Sequence, residues 1–229
     1  MFSKRTLLLS FLLLAIPGNA VGESGILLLP KQKSKGSISV EEAIASRRTL
    51  RDFQAKPLSL EELAQLLWAA QGITRSEGHL RAAPSGGALY PLDVYAVVGE
   101  ASVKGLASGA YRYLPSQHGL EQIRSGDLRE AVARASLGQM WMADAPVSLV
   151  VTAEYARIEG KYGSRGRRYA MVEVGHVGQN IFLQAEALGL GAGIVGAFDD
   201  ARLAQVLHLP RAHEPLIAMP VGHKGEKND

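Results

Sequence analysis

One long helical window, residues 169–188, limits the folds open to this chain. It is apolar on most sides and contains Gly175 and Gly178. Each glycine weakens an isolated helix by roughly 1 kcal/mol relative to alanine, so both indicate close packing against another element. The sequence therefore predicts a central helix.

Shorter elements flank this helix without a regular βαβ rhythm. Two capping boxes, at Ser39 with Glu42 and at Ser59 with Glu62, open helices, and two more helical windows span residues 127–136 and 200–207. Strand-like runs lie at residues 94–98, 110–114, 147–153, 193–197 and 216–221. No GxGxxG follows a strand, so the pattern favours an α+β fold over a Rossmann fold.

Composition narrows the class of protein. A chain of 229 residues with 47% apolar and 21% charged side chains suffices for one large domain. The formal net charge is +3, and Lys4 and Arg5 supply two of these charges, so the remainder argues against nucleic-acid binding. Because the chain has no cysteine, it has neither disulfides nor thiolates, and redox chemistry would need a cofactor.

The N-terminus is typical of an exported protein. Residues 1–20 combine a basic start, an apolar run at 7–16 and a small-x-small site at Gly18-Asn19-Ala20, as in a signal peptide. The apolar run is shorter than the roughly 20 residues of a spanning helix, so a cleaved signal is favoured over an anchor. The run SKRTLLL also loosely resembles a twin-arginine signal. We expect a periplasmic or cell-envelope protein without stable membrane insertion after cleavage, with a flexible tether at 21–37 and one domain at 38–229.

Two of four motifs suit the binding of a ligand. SRRTLRDF, residues 46–53, concentrates arginine donors suited to a phosphate and a carbonyl-rich ring, or it is a solvated basic helix end. AAPSGGALYP, residues 82–91, can bring backbone N–H groups close to a ligand, or it is a tight turn before a strand.

The other two motifs suit chemistry on a planar ring. Lys161 and Tyr162, within residues 160–180, can exchange protons as a general base would, or they lie on a basic surface loop. His176 and Asn180 share a helix face, as a ligand edge or as a buried hydrogen-bonded pair. GLGAGIVGAFDD, residues 189–200, can lie flat against a ring or form a buried strand. His118, His208 and His213 lack metal spacing, so no metal site is predicted.

In this order the four motifs resemble those of the nitroreductase-like flavoprotein superfamily, in the branch of azoline dehydrogenases of thiazole/oxazole peptide biosynthesis. The resemblance covers roughly residues 38–223 and implies a central, mostly antiparallel sheet flanked by helices. It also implies a homodimer with FMN at the subunit interface.

The resemblance assigns a role to each motif. Lys161 and Tyr162 would abstract the proton during dehydrogenation. The residues implied to bind FMN are Arg47, Arg48, Thr49 and Arg51 for phosphate and ribityl oxygens, the loop residues Pro84, Ser85, Gly86, Gly87 and Leu89 with the Ser-Gly-Gly run supplied by the partner chain, and Gly193, Ile194, Val195 and Gly196 against the ring. Many family members carry a late basic residue or pair on the phosphate, and this chain departs from that pattern, since it ends at HKGEKND with Lys224 as the substitute. Phosphate binding is therefore expected to rest more on the N-terminal arginines.

Three functions follow as hypotheses. The first is an FMN-dependent oxidoreductase that transfers hydride through flavin N5 and acts on a small or peptide-like substrate, although a signal peptide is unusual for a peptide-modifying enzyme. The second is an NAD(P)H-dependent reductase of nitroaromatics or quinones. The third is a flavin-binding module without catalytic activity.

Overall fold

A seven-stranded antiparallel sheet forms the centre of the fold. The computed structural model describes residues 25–75, 77 and 80–226, so the predicted signal peptide lies outside the described residues. The strands are β1 (Ile26–Leu28), β2 (Ile73–Arg75), β3 (Leu80–Arg81), β4 (Leu92–Val98), β5 (Gly109–Leu114), β6 (Gly119–Ser125), β7 (Val147–Ala153), β8 (Leu190–Ala192) and β9 (Glu214–His223). The order in the large sheet is β1-β6-β5-β4-β7-β9-β8, and β2 pairs with β3 separately. The predicted α+β class with an antiparallel sheet is confirmed.

The middle strands explain why the core lies on both faces of this sheet. Every residue of β4 and β7 is buried, and both strands read as nearly continuous apolar runs. A strand that is covered on both faces has no side toward solvent, so its sequence does not alternate between apolar and polar residues. Helices therefore have to cover the sheet on either side.

Six helices are described: α1 (Val40–Ser46), α2 (Leu60–Gln71), α3 (Arg129–Ala135), α4 (Ala156–Tyr162), α5 (Arg165–Ala187) and α6 (Asp200–Leu207). Both predicted capping boxes are present, at Ser39 and at Ser59. The long helix α5 packs against α1, α2, α4 and the sheet, as a central helix would. Within the described residues no helix is both long and apolar enough to cross a membrane.

The two glycines of α5 differ in their surroundings. A Cβ atom on Gly178 would lie 3.4 Å from Ile217 and 3.7 Å from Ile194, so this position does pack closely. A Cβ atom on Gly175 would meet nothing within 4 Å among the described residues. Close packing is therefore present at one of the two predicted positions within a single chain.

Two predicted segments differ from the structure. Residues 193–197 are not a strand, because β8 ends at Ala192 and beyond it only Val195 bridges to Ala218. Part of the predicted tether belongs to the fold, since Ile26–Leu28 pairs with β6 and both Leu27 and Leu29 are buried in the core. The prediction of a flexible tether over 21–37 is wrong for these residues. An apolar run that covers the edge strand β6 gains burial that a solvated linker would not.

Candidate functional site

The loop of residues 84–90, called the Ser85 loop below, has a strained backbone. Gly87, Ala88 and Tyr90 adopt positive φ angles of 64°, 55° and 47°. For a residue with a Cβ such angles cost energy, and they persist only where the surroundings impose them. Strain of this kind concentrates in ligand-binding loops, so the loop is a candidate site.

Hydrogen bonds impose this conformation. The Tyr90 N–H donates to Ser85 Oγ at 2.9 Å, and the Ala88 N–H donates to the Ser85 carbonyl at 3.1 Å. Arg157 Nη1 donates to the Tyr90 carbonyl at 3.3 Å, and the Arg81 N–H donates to Tyr90 Oη at 3.2 Å. The loop is therefore closed by its own hydrogen bonds and held from outside at Tyr90.

Lys161 and Tyr162 stand directly over this loop. They close α4, and a Cβ atom on Gly87 would lie 2.7 Å from Tyr162 Oη and 3.1 Å from Lys161 Nζ. The Lys161 ammonium is 5.3 Å from the centroid of the Tyr162 ring, which packs edge-on against Tyr169. The second and third motifs therefore meet at a space that only glycine leaves open.

The helix α5 meets the same loop with one face. A Cβ atom on Gly86 would lie 3.4 Å from Tyr169 Cβ, and His176 Nδ1 lies 3.3 Å from the Pro84 carbonyl oxygen. Asn180 instead donates to the Ala69 carbonyl at 3.0 Å. The two residues do not bond to each other: His176 contacts the loop, and Asn180 ties α5 to α2.

The first and fourth motifs form a second cluster. Thr49 bridges to Ala192 in parallel, and the Leu50 N–H donates to the Ala192 carbonyl at 2.9 Å. A Cβ atom on Gly193 would lie 2.7 Å from the Leu50 carbonyl oxygen and 2.8 Å from the Trp141 ring. The residue type at position 193 therefore sets how closely the two segments approach.

The three arginines of the first motif point to different neighbours. The Arg47 guanidinium lies 5.1 Å from the Phe182 ring centroid, and that of Arg51 lies 5.8 Å from the Trp141 ring. Arg48 Nη1 donates to the carbonyls of Ala45 and Arg47 at the end of α1. Arg48 therefore partly fills the role of a helix-end cation, the alternative that the sequence left open.

Lys224 lies beside this second cluster. It bridges to Phe53, and its Nζ donates to Glu186 Oε1 on α5 at 2.7 Å. Glu186 is one helical turn beyond Phe182, against which Arg47 packs. Two cations therefore lie along the C-terminal end of α5.

The two clusters lie apart within one chain. Tyr169 marks the first cluster on α5 and Phe182 marks the second. Thirteen residues of helix at 1.5 Å each separate them by about 20 Å. The fold thus brings the four motifs together in two pairs rather than in one site.

Several residues near the clusters escape sequence reasoning: Arg81, Tyr90, Trp141, Glu173 and Glu186. The charged residues among them are common surface types, and the two aromatic residues are common core types, so neither kind stands out in its own segment. Glu173 is the one that a sequence signal could have identified, because it is an acidic residue on the buried face of a long helix, where acids are rare.

A further group of polar side chains lies at the ends of β4, β7 and β9. Among the described residues Asp93, Glu154 and His213 are the group spaced to hold a metal ion. The Arg157 guanidinium already bridges both carboxylates, and burial lowers the pKa of His213. The cation of this group is therefore an arginine, as in a structural ionic network.

Comparisons with known proteins place these motifs in context. Residues 44–223 match the model of the Nitroreductase family. The chain is 41% identical over 189 residues to the nitroreductase-type protein MJ1384 of Methanocaldococcus jannaschii, covering 82% of this chain and 93% of that protein. It is 30% identical over 176 residues to the microcin B17-processing protein McbC of Escherichia coli, covering 75% of this chain and 64% of McbC.

Solved structures share the fold. A nitroreductase-type protein of Ralstonia eutropha JMP134 superposes with a TM-score of 0.77 at 30% identity, covering 93% of this chain and 96% of that one. A chain of the E. coli microcin synthetase McbBCD complex, solved with truncated pro-MccB17 bound, superposes with a TM-score of 0.70 at 27% identity. The match covers 86% of this chain and 77% of that one.

Proposed function

The chain belongs to the nitroreductase family, and we propose that it is an FMN-dependent oxidoreductase of the azoline-dehydrogenase type. The observation that carries this proposal is the position of Lys161 Nζ and Tyr162 Oη over Gly87. Two groups able to carry a proton there face a strained glycine loop suited to a planar ligand. Its substrate would be small or peptide-like.

The residues present fit an FMN molecule. Gly87 and Gly193 each leave a space that a Cβ atom would fill, and half-buried Arg47 carries a guanidinium suited to a phosphate. Thr49 and Arg51 would add contacts to phosphate and ribityl oxygens. Exposed Ile194 and Gly196 would lie against the ring, with the backbone of Val195 anchored to Ala218.

The separation of the two clusters supports a site shared by two chains. If α5 packs antiparallel on its copy about a two-fold axis, the Ser85 loop of one chain approaches the arginine segment of the other. The exposed face of α5 suits such packing, since it repeats at helical spacing and carries Met171, Val172 and Gly175. We therefore propose a homodimer in which each site takes residues from both chains.

When bound, FMN would supply two-electron chemistry by exchanging hydride at N5. The Lys–Tyr pair would handle the accompanying proton, since Lys161 is exposed to solvent and Tyr162 is half-buried toward the loop. In a dehydrogenation, one hydrogen leaves the substrate as hydride and the other as a proton, which Lys161 Nζ or Tyr162 Oη would pass to solvent. The reverse direction would use the same two atoms as donors.

Similarity to McbC supports a peptide-like substrate. McbC is a microcin B17-processing protein, and the McbBCD complex has been solved with truncated pro-MccB17 bound.

The predicted signal peptide leads us to propose that this chain acts in the cell envelope. N-terminal sequencing of protein from fractionated cells tests the export proposal, and an intact Met1 in the cytoplasmic fraction would refute it.

The first prediction concerns the cofactor. The full chain purified without added flavin should show a flavin absorption spectrum, release FMN on heating and elute as a dimer, because each site needs both chains. Absorption spectroscopy and size exclusion on one sample measure this. A colourless monomer that takes up no added FMN would refute the proposal, and rapid NAD(P)H oxidation by the yellow protein would favour the nitro/quinone reductase alternative.

The second prediction concerns the phosphate. Lys224→Ala should weaken FMN binding roughly five-fold and leave riboflavin binding unchanged, because only FMN carries the charge that an ammonium attracts. Fluorescence titration with both flavins measures this. Lys104→Ala, an exposed lysine on the loop before β5, is the control. Equal losses for both flavins would place Lys224 in a structural role through its bond to Glu186.

A further inference from the structure

Three residues of α5 face the Ser85 loop in register. Tyr169 lies against Gly86, His176 against Pro84, and between them Glu173 lies near Ser85. Positions separated by four and three residues share one face of a helix, so this face of α5 is the floor of the loop. Glu173 is the acid of this floor, and its side chain is 1% exposed.

The hydrogen bonding of Glu173 is incomplete. Oε1 accepts from Gln71 Nε2 at 3.3 Å, and Gln71 in turn accepts from Arg81 Nη1 at 3.2 Å. Oε2 is buried and has no hydrogen-bond partner in the described part of the chain. A buried carboxyl oxygen without a partner costs free energy, and the Ser85 hydroxyl, which lies close enough to lower the pKa of Glu173, is the group that could satisfy it.

The groups around this carboxyl pull its protonation in opposite directions. Burial raises the pKa of Glu173, whereas the hydroxyl of Ser85, the amide of Gln71 and the positive charges of Arg81 and His176 lower it. The effect of burial is the largest, so the pKa of Glu173 is raised on balance. These neighbours come from α2, from β3, from α5 itself and from the Ser85 loop.

A chain of donors runs from the loop toward Glu173. The Tyr90 N–H donates to Ser85 Oγ, which leaves the Ser85 hydroxyl hydrogen free to donate in turn. A carboxylate is an acceptor only, so it can end this chain. The Ser85 hydroxyl is then fixed, and with it the turn from Pro84 to Tyr90.

We propose that Glu173 is a positioning residue of the flavin site, whose ionised carboxylate holds the Ser85 hydroxyl and thereby the ligand-binding conformation of the Ser85 loop. This role rests on the proposed function for its ligand.

The proposal separates stability from binding. Because the folded protein binds the Glu173 proton more tightly than the unfolded chain does, this group stabilises the fold less as the pH rises above the ordinary carboxyl range. Glu173→Gln removes that loss, so its melting temperature at pH 8 should equal or exceed that of the wild type. Its FMN affinity should nevertheless fall about ten-fold, the loss expected from a charge-assisted hydrogen bond.

The experiment compares the full-length wild type with Glu173→Gln, Ser85→Ala, the double variant and Val177→Ala. Val177 is a fully buried α5 residue, so its truncation measures simple loss of packing. We measure FMN affinity by titration between pH 5 and 8 and stability by thermal melting. In flavin-free protein we measure hydrogen exchange at the Ala88 and Tyr90 amides.

We expect faster exchange of both amides and weaker FMN binding in Glu173→Gln without a lower melting temperature, and no further loss in the double variant beyond Ser85→Ala. Wild-type FMN affinity should fall toward that of Glu173→Gln as the pH drops. Unchanged affinity and exchange in Glu173→Gln, or losses that only parallel a lower melting temperature as in Val177→Ala, would overturn the proposal. If the wild type binds no FMN, the proposed function fails, and the amide exchange alone then tests whether Glu173 holds the loop.

Discussion

Lys161→Ala is expected to lower turnover at least a hundred-fold while FMN affinity changes less than two-fold, because loss of a general base costs about 10²- to 10⁴-fold. The side chain is exposed and brings its Nζ to Gly87, so its truncation leaves no cavity in the core. The measurement is the rate of flavin reduction by substrate under single-turnover conditions, beside an FMN titration of the same sample.

Lys161→Arg is the matched control for this variant. Arginine keeps the positive charge but does not lose its proton in a protein. If Lys161 moves a proton, Lys161→Arg should be as slow as Lys161→Ala. Recovery of activity in Lys161→Arg would mean that the residue acts only by its charge, and full activity in both variants would favour a flavin-binding module without this chemistry.

Much of the fold could be predicted from local patterns. The strand at 147–153 has the bounds predicted, because a nearly continuous apolar run between Pro146 and Glu154 is most favourably placed inside a sheet. The helix starts at Ser39 and Ser59 follow from capping boxes that satisfy backbone N–H groups locally. Features fixed within a few residues are therefore well predicted by the sequence.

Features that depend on distant partners were missed. The strand predicted at 193–197 fails because Gly193 is pressed between Leu50 and Trp141, which come from two other segments. Ile26–Leu28 becomes a strand only because β6 offers it an edge. Periodicity within a segment carries no information about either partner.

The candidate site shows the same division. The sequence supplied the four motifs, but their meeting in two pairs depends on the length of α5 and on where each loop meets it. Glu173 was passed over for a related reason. An acid on a long helix is usually solvated, and only tertiary neighbours, Gln71 of α2 and the Ser85 loop among them, bury this one.

The closeness of the first and fourth motifs leads to a second large effect, at Gly193. Gly193→Ala should lower the free energy of unfolding by about 2 kcal/mol, the usual cost of overpacking, and the melting temperature by about 5 °C. The new Cβ would press on a backbone carbonyl and on the Trp141 ring, neither of which can swing away as the end of a flexible side chain can. Thermal melting of the flavin-free protein measures the change.

Gly196→Ala is the control in the same loop, since a Cβ atom there would meet nothing within 4 Å among the described residues. Its melting temperature should match that of the wild type.

Gly193→Ala should also weaken FMN binding, because the Leu50–Ala192 pairing that carries Thr49 and Arg51 must shift to relieve the clash. If Gly193→Ala melts like Gly196→Ala, the segments are not closely packed, and the arginine segment would have to be positioned by something other than this glycine.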